Sequence, residues 1–144
     1  MTRKKGALAG FLAAFLFFMG LGEAIATKLY VTNISDNSLS ITEGDWRNPK
    51  GWRVVKTISV GKMPHVPAVS PDGKKLFVTM AGSDEVWTFD PATDKLVRKI
   101  ALGVKPSHII FSPDSRYAYV SLETSQELAI VDTKANSVVA KIFV

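Results

Sequence analysis

The sequence contains no cysteine among its 144 residues. This absence excludes disulfides, thiolate nucleophiles, iron–sulfur clusters, haem attachment through a CxxCH motif and a lipid anchor on cysteine. Histidine is almost as scarce, with only His65 and His108, whereas a metal site usually needs three or four ligands. We therefore expect no metal site, and the residues themselves predict no cofactor.

Runs of basic residues are also absent beyond the first few positions. The 18 Lys and Arg residues exceed the 13 Asp and Glu residues, which gives a formal net charge of +5, but they are scattered along the chain. Nucleic-acid binding leaves a basic patch or stripe in a sequence. We expect no nucleic-acid partner.

The segment 1–26 has the pattern of a secretory signal peptide. Basic residues at 3–5 precede an uncharged, apolar run at 6–22, and an Ala-x-Ala sequence ends at Ala26. We predict a helical signal peptide at 1–26, cleaved after Ala26, and export of residues 27–144 to the periplasm or the cell surface. The alternative is an uncleaved membrane anchor, because an apolar run of this length is just enough to span a bilayer.

The remainder of the chain repeats itself. The stretch 61–64 (GKMP) returns as 103–106 (GVKP), and 70–73 (SPDG) returns with the same shift as 112–115 (SPDS). An upstream copy at 28–33 matches 75–80 with a longer shift, because the first unit carries an insertion inside 43–53. Such self-similarity indicates a repeat architecture, and we predict three units at roughly 27–61, 62–103 and 104–144.

Each unit is predicted to form four short antiparallel strands. In the middle unit, β-forming residues occupy 66–70, 76–80, 85–89 and 96–102, separated by turn residues. About 40 residues per four-stranded unit is typical of a β-propeller blade. We therefore predict an all-β fold with 11 strands, or about 2.75 blades, because the first unit begins at its second strand. The predicted core comprises Phe77, Val78, Phe89, Ile110, Val120 and Ile130.

Several of these motifs resemble the YVTN β-propeller repeat family. They are Tyr30-Val31-Thr32-Asn33, the Gly-x-x-Pro-His run at 61–65, the Ser-Pro-Asp-Gly turn at 70–73 and the Asp that closes the third strand. The resemblance covers nearly all of 27–144 and implies a propeller fold. It does not imply one function, because the family includes cell-surface proteins, periplasmic proteins linked to quinone cofactors and relatives of the haem d1 propellers.

Two groups of residues are candidates for binding. The resemblance places His65 at the start of the innermost strand, near the central channel, as a candidate cofactor-binding residue; a structural role at the rim is the alternative. The insertion at 43–53 supplies candidate partner-binding residues, since loops often carry function and Trp and Arg are favoured at interface hot spots. Alternatively, both tryptophans cover a blade edge. These candidates are Trp46, Arg47, Trp52 and Arg53.

No Ser-His-Asp spacing or phosphate loop stands out, so we predict no catalytic residue. The sequence favours a non-enzymatic, exported propeller module that binds a protein or a small ligand, with membrane contact only through an uncleaved signal segment. One alternative is a redox-linked propeller that binds haem d1 or serves quinone-cofactor metabolism. Another is a truncated fragment of a larger propeller. Bare blade faces at both ends of the array also predict a homo-oligomer or further blades.

Overall fold

The computed structural model describes residues 14–16, as backbone, and residues 27–144. These residues form three antiparallel sheets of four strands each, which confirms the predicted all-β fold of propeller-type blades. Within the described residues the helical content is one short 3₁₀ turn at Pro49–Gly51, and none of their helices is long and apolar enough to cross a membrane.

Each sheet is one blade, and its strands follow one another in space as in sequence. The first blade contains β1, β2, β3 and β4, at Ala14–Leu16, Thr27–Asn33, Ser38–Gly44 and Arg53–Ser59. The second blade contains β5, β6, β7 and β8, at Pro64–Val69, Leu76–Met80, Glu85–Asp90 and Lys95–Ala101. The third blade contains β9, β10, β11 and β12, at Pro106–Phe111, Tyr117–Leu122, Glu127–Asp132 and Ser137–Phe143.

The eleven strands predicted within 27–144 are present, and β1 is an addition that the sequence did not predict. Ala14–Leu16 pairs antiparallel with β2, opposite Leu29–Val31. The prediction that these three residues are helical is therefore wrong, and their pairing adds an inner strand to the eleven predicted within 27–144. The edge of β2 presents free N–H and C=O groups, and a neighbouring extended segment satisfies them. The rest of the predicted signal helix lies outside the described residues.

The Ser-Pro-Asp motifs form turns, as their recurrence with the repeat predicted. The Ser70 hydroxyl donates to the Asp72 carboxylate at 2.5 Å and accepts from the backbone N–H of Lys75 at 3.0 Å. Ser112 and Asp114 repeat the first of these bonds at 2.5 Å. These hydroxyl donors are the main reason why the pKa values of Asp72 and Asp114 lie below the ordinary range.

The apolar core lies between the blades rather than within each of them. One cluster joins the first and second blades and contains Tyr30, Leu39, Ile41, Leu76, Val78, Met80 and Phe89. The other joins the second and third blades and contains Val66, Ala68, Phe77, Val86, Ile100, Leu102, Ile109, Ala118, Val120, Leu122, Ala129 and Val131. A strand alternates its side chains between two faces, so the middle blade contributes one face to each cluster.

Burial confirms Phe77, Val78, Phe89 and Val120 as core residues. Ile130 is only half-buried, and the prediction for Ile110 is wrong, because its side chain is 63% exposed. On β9 the neighbouring Ile109 faces the second blade, so Ile110 faces the opposite, uncovered side of the third blade. The repeat pattern identifies Ile110 as a junction residue, that is, one whose repeat position packs between neighbouring blades. No described blade covers it.

Polar contacts also join adjacent blades at their outer ends. Lys28 on β2 forms an ion pair with Asp94 at 3.1 Å, in the turn between β7 and β8. The Tyr30 hydroxyl lies 3.2 Å from the same carboxylate, and burial, followed by the charge of Asp94, raises the pKa of Tyr30 well above its usual value. Lys28 also donates to the backbone carbonyl of Pro91, and at the second junction Lys75 donates in the same way to the backbone carbonyl of Thr133.

Truncation of a junction residue should destabilise the fold. Val78 and Val120 are fully buried, one in each cluster, so Val78→Ala and Val120→Ala should each lower the free energy of unfolding by about 1–3 kcal/mol through lost burial and an unfilled cavity. Urea unfolding followed by circular dichroism measures the change. Val139→Ala, at an exposed position of β12, is the matched control and should change stability by less than about 0.5 kcal/mol. Equal effects at buried and exposed positions would contradict the packing described here.

Candidate active site at the inner strands

The two histidines of the chain meet at the innermost strands of neighbouring blades. His65 lies on β5 and His108 on β9, and their ring centroids are 5.7 Å apart at an interplanar angle of 88°. Ser107, also on β9, is almost fully buried, at 1% exposure, whereas His65 is half-buried and His108 is exposed. The structure thus places both imidazoles within reach of solvent around a buried hydroxyl.

The Ser107 hydroxyl links the two rings. Its Oγ lies 3.3 Å from Nδ1 of His65 and 3.0 Å from Nδ1 of His108. A hydroxyl carries a single proton, so it donates to one Nδ1 and accepts from the other. Two neutral rings that both bond this hydroxyl have opposite tautomers: one has a free lone pair on Nε2, and the other carries a proton there.

Hydrogen bonds across the blade junctions hold the backbone of this cluster. The Thr32 hydroxyl donates to the carbonyl of His65 at 2.9 Å, and the Thr79 hydroxyl donates to the carbonyl of Ser107 at 2.7 Å. Within the third blade, Ser121 accepts from the backbone N–H of His108 at 3.1 Å. The geometry of the histidine pair is consequently set by the way in which the blades stack.

An ion pair lies beside the cluster. Lys105 and Glu123 are joined at 2.7 Å, with both side chains about half exposed. This contact is the main reason why the pKa of Glu123 lies below its ordinary value, and smaller contributions come from Ser107 and from the charge of His65. Glu123 therefore remains ionised at neutral pH and carries a negative charge near the His65 ring.

The structure places the predicted partner-binding residues elsewhere. Trp46 is half exposed, and the Arg47 guanidinium lies 5.2 Å from the centre of its ring. Trp52 is half-buried against Gly44, where a Cβ atom would come within 2.5 Å of the indole. Trp52 and Arg53 line a cavity on the open face of the first blade. The histidine pair belongs to the other two blades, and the partner-binding role of these residues stays a prediction.

The sequence singled out His65 but missed the constellation around it. The separation of His65 and His108 is one position longer than the repeat, so the alignment pairs His65 with Ser107 rather than with His108. No group of three or more His, Cys, Asp or Glu side chains in the described part of the chain is arranged to hold a metal ion. The cluster is instead suited to proton transfer, because it combines an acceptor nitrogen and a donor nitrogen at one place.

The opposite tautomers of the two rings can be tested directly. Long-range ¹H–¹⁵N spectra at alkaline pH should show one ring protonated at Nδ1 and the other at Nε2, because the hydroxyl donates its single proton to one Nδ1 and accepts a proton from the other. Ser107→Ala should remove this constraint and change both ring signals, whereas Ser59→Ala, at an exposed position of β4, should leave them unchanged. Identical tautomers in the unmodified chain would contradict the bridging role of Ser107.

Comparison with solved structures supports the fold. Hydrazine synthase of Kuenenia stuttgartiensis is 31% identical with a TM-score of 0.71, and the match covers 81% of this chain and 32% of that one. A dihydro-haem d1 dehydrogenase in complex with DHE is 22% identical with a TM-score of 0.68, and the match covers 80% of this chain and 24% of that one. A candidate 6-phosphogluconolactonase from Bacteroides fragilis is 18% identical with a TM-score of 0.69, and the match covers 81% of this chain and 36% of that one. The chain thus spans between a quarter and about a third of these proteins.

A sequence comparison with curated proteins finds no match, but a family model does match. The matched segment is residues 30–141, more than three quarters of the chain, and the family is described as Lactonase, 7-bladed beta-propeller. This description contradicts the expectation of a non-enzymatic module, because lactonases are hydrolases. His65 and His108 lie on different blades, so spacing within one stretch of sequence does not bring them together. The chain belongs to the lactonase family of seven-bladed β-propellers.

Proposed function

We propose that this chain contributes the acid–base residues of a hydrolase that opens a small lactone ring. The observation that carries the proposal is the Ser107 hydroxyl between Nδ1 of His65 and Nδ1 of His108. When the hydroxyl bonds both neutral rings, one imidazole offers a free Nε2 lone pair and the other an Nε2 proton. The match to the lactonase family supports the reaction class. Two structural neighbours that are candidate 6-phosphogluconolactonases, from Bacteroides fragilis and Bacteroides uniformis, support it further.

The opening of a lactone by water requires first a general base and then a general acid. The ring with the free Nε2 takes a proton from water as the water oxygen attacks the lactone carbonyl, which becomes an oxyanion. Collapse of the tetrahedral intermediate breaks the acyl–oxygen bond of the ring. The first ring passes its Nδ1 proton to the Ser107 oxygen, the Ser107 hydroxyl proton passes to Nδ1 of the other ring, and that ring gives its Nε2 proton to the departing alkoxide. Both rings are then neutral again, and lactone and water have yielded a hydroxy acid. General acid–base catalysis of this kind contributes about 10²–10⁴-fold in rate.

Different degrees of burial suit the two rings to different tasks. His65 is half-buried next to Ser107, where its position is fixed by the backbone bond from Thr32. His108 is exposed, so its ring can follow a leaving group that moves as the lactone opens. Glu123 lies close enough to His65 to interact with its charge, so a carboxylate stands beside the ring that accepts the proton.

A second candidate function is tetrapyrrole binding at the same histidines. It is favoured by the likeness to a dihydro-haem d1 dehydrogenase in complex with DHE and by the presence of two imidazoles at one place. The redox-linked alternative from the sequence analysis would use His65 in this way. In that case the purified protein would carry a visible absorption band that disappears in His65→Gln, a result that would count against the hydrolase.

We further propose that residues 27–144 act outside the cytoplasm. The support is the basic, apolar and small-residue order of the segment 1–26. Cleavage after Ala26 would remove β1 and leave the inner edge of β2 unpaired.

Removal of the signal peptide is tested by N-terminal sequencing. Protein recovered from the extracytoplasmic fraction of a bacterial host should begin Thr27-Lys28-Leu29, because signal peptidase cuts after a small-x-small sequence. Ala26→Leu should block cleavage, whereas Ile25→Leu, at the tolerant position between the two alanines, should not. Recovery of the unmodified chain with Met1 intact would contradict the proposal.

The hydrolase is tested by proton release from glucono-δ-lactone and its 6-phosphate. The unmodified chain should accelerate hydrolysis above the buffer rate. His65→Gln and His108→Gln should each lower kcat by about 10²–10⁴-fold, since each removes one proton-transfer group. Lys99→Gln, on the exposed outer strand β8, is the control and should retain full activity. A rate equal to that of the buffer, or histidine variants as active as the control, would refute the assignment.

A further inference from the structure

We propose that a cavity between the second and third blades binds a small carboxylate that also carries a hydroxyl group, such as a three-carbon hydroxy acid. This binding site goes beyond the proposed function, because it is lined by residues other than the histidine pair and takes no part in the reaction. The basis is a comparison of the two blade junctions of the molecule. One junction contains a hydroxyl and a carboxylate of the protein itself, and the other lacks both.

The junction between the first and second blades is filled by the protein. The Lys28 ammonium lies 3.2 and 3.1 Å from the two oxygens of the Asp94 carboxylate, and it donates to the carbonyl of Pro91 at 3.0 Å. The Tyr30 hydroxyl lies 3.2 Å from the same carboxylate. A lysine, a hydroxyl and a carboxylate thus contact one another where these two blades meet.

The junction between the second and third blades lacks the last two of these groups. In the alignment of the repeat, Phe77 corresponds to Tyr30, and Asn136 corresponds to Asp94. Asp94 and Asn136 have the same left-handed backbone, with φ angles of 54° and 50°, so the two side chains leave the chain in equivalent directions. The second junction is therefore short of one hydroxyl and one negative charge.

A cavity of about 120 Å³ lies at this place in the second junction. Its lining includes Lys75, Phe77 and Asn136, which are the counterparts of the three side chains in contact at the first junction. Phe89 and Val97 add further apolar wall. A water molecule takes up about 30 Å³ of the liquid, so the cavity has room for a molecule of a few non-hydrogen atoms.

The hydrogen-bond donors at the cavity suit a carboxylate. The Lys75 ammonium donates to the carbonyl and hydroxyl oxygens of Thr133, and because an ammonium has three protons, one proton remains. The Asn136 side chain has no hydrogen-bond partner among the described residues, and its amide offers two more donors. These groups can bind both oxygens of a carboxylate, as Lys28 contacts both oxygens of Asp94.

The charge of the cavity also favours an anion. Lys74 lines it at the position that Thr27 has in the first blade, which adds a positive charge to that of the neighbouring lysine. Asp90 also lines the cavity, but its carboxylate already accepts from the N–H of Ala92 and from the hydroxyl of Thr93, both at 2.9 Å. Two ammonium groups and one carboxylate leave one positive charge, which a bound carboxylate balances.

A hydroxyl on the ligand takes the place of the Tyr30 hydroxyl. Thr88 lines the cavity at the position where the first blade has the apolar Ile41. The buried Thr88 hydroxyl donates to the carbonyl of Arg98 at 3.4 Å, and its oxygen can accept from a second hydroxyl. A hydroxy acid therefore finds a partner for each of its two groups, whereas a plain carboxylate leaves the Thr88 oxygen unused.

Titration of the full chain with racemic lactate, followed by the NMR signals of the Asn136 side-chain amide, tests the proposal. The signals should shift saturably with a Kd on the order of 1 mM, since the ligand is very small. Propionate, which lacks the hydroxyl, should bind about threefold more weakly or worse. No saturable shift with lactate, propionate that binds as tightly as lactate, or inorganic phosphate that binds as tightly as lactate would each overturn the assignment.

Reconstruction of the first junction inside the second identifies the site. Phe77→Tyr combined with Asn136→Asp supplies the missing hydroxyl and carboxylate, so the Kd for lactate should rise about tenfold or more. Asn136→Asp alone leaves the core unchanged and should weaken binding in the same direction. Asn48→Asp is the control, because it makes the same change of charge at an exposed position outside the cavity and should bind lactate normally.

Circular dichroism verifies that each of these variants is folded, and lactate binding is compared among the folded ones. If Asn136→Asp binds lactate as tightly as the unmodified chain, or no more weakly than Asn48→Asp does, the cavity is not the binding site and the proposal is wrong.

Discussion

The buried hydroxyl of Thr79 is the contact on which the arrangement of the site depends. It accepts from the backbone N–H of Val66 at 2.9 Å and donates to the carbonyl of Ser107 at 2.7 Å. A buried hydroxyl without partners would cost about 1–3 kcal/mol, so this residue favours one separation of the second and third blades. That separation brings Ser107 within hydrogen-bonding distance of His65. The stacking of the blades thus determines the geometry of the histidine pair.

The repeat spacing was sufficient to predict the blades because strand and turn preferences are local. The Ser-Pro-Asp turns, for example, are stabilised within a few residues, by bonds such as that from Ser70 to Asp72. Burial is not local in the same way. Ala68 and Ile110 occupy the same position of the repeat, but only Ala68 has a described neighbouring blade against it. The repeat pattern identifies which residues face a neighbour, and it carries no information on whether that neighbour is present.

The candidate site was harder to predict because its residues are related through space rather than through the repeat. The alignment matched His65 to Ser107, which hid the proximity of His108. Ser107 itself has no distinguishing signal among the serines of the chain. Strand β1 was missed for a different reason. Its residues lie in an apolar segment whose composition also fits a signal helix, and composition does not reveal the free edge of β2 that Ala14–Leu16 occupies.

The position of the two histidines on different blades has a consequence for how such a protein can change during evolution. Repeat arrays gain and lose whole units by unequal recombination, and a fold built from equivalent junctions tolerates such events, since any unit can stack on any other. A contact between two side chains on consecutive units does not tolerate the insertion of a unit between them. Insertion of one unit between β5 and β9 would keep every junction intact and still separate His65 from His108. The proposed hydrolase would therefore constrain the order of these two units, which stability alone does not require.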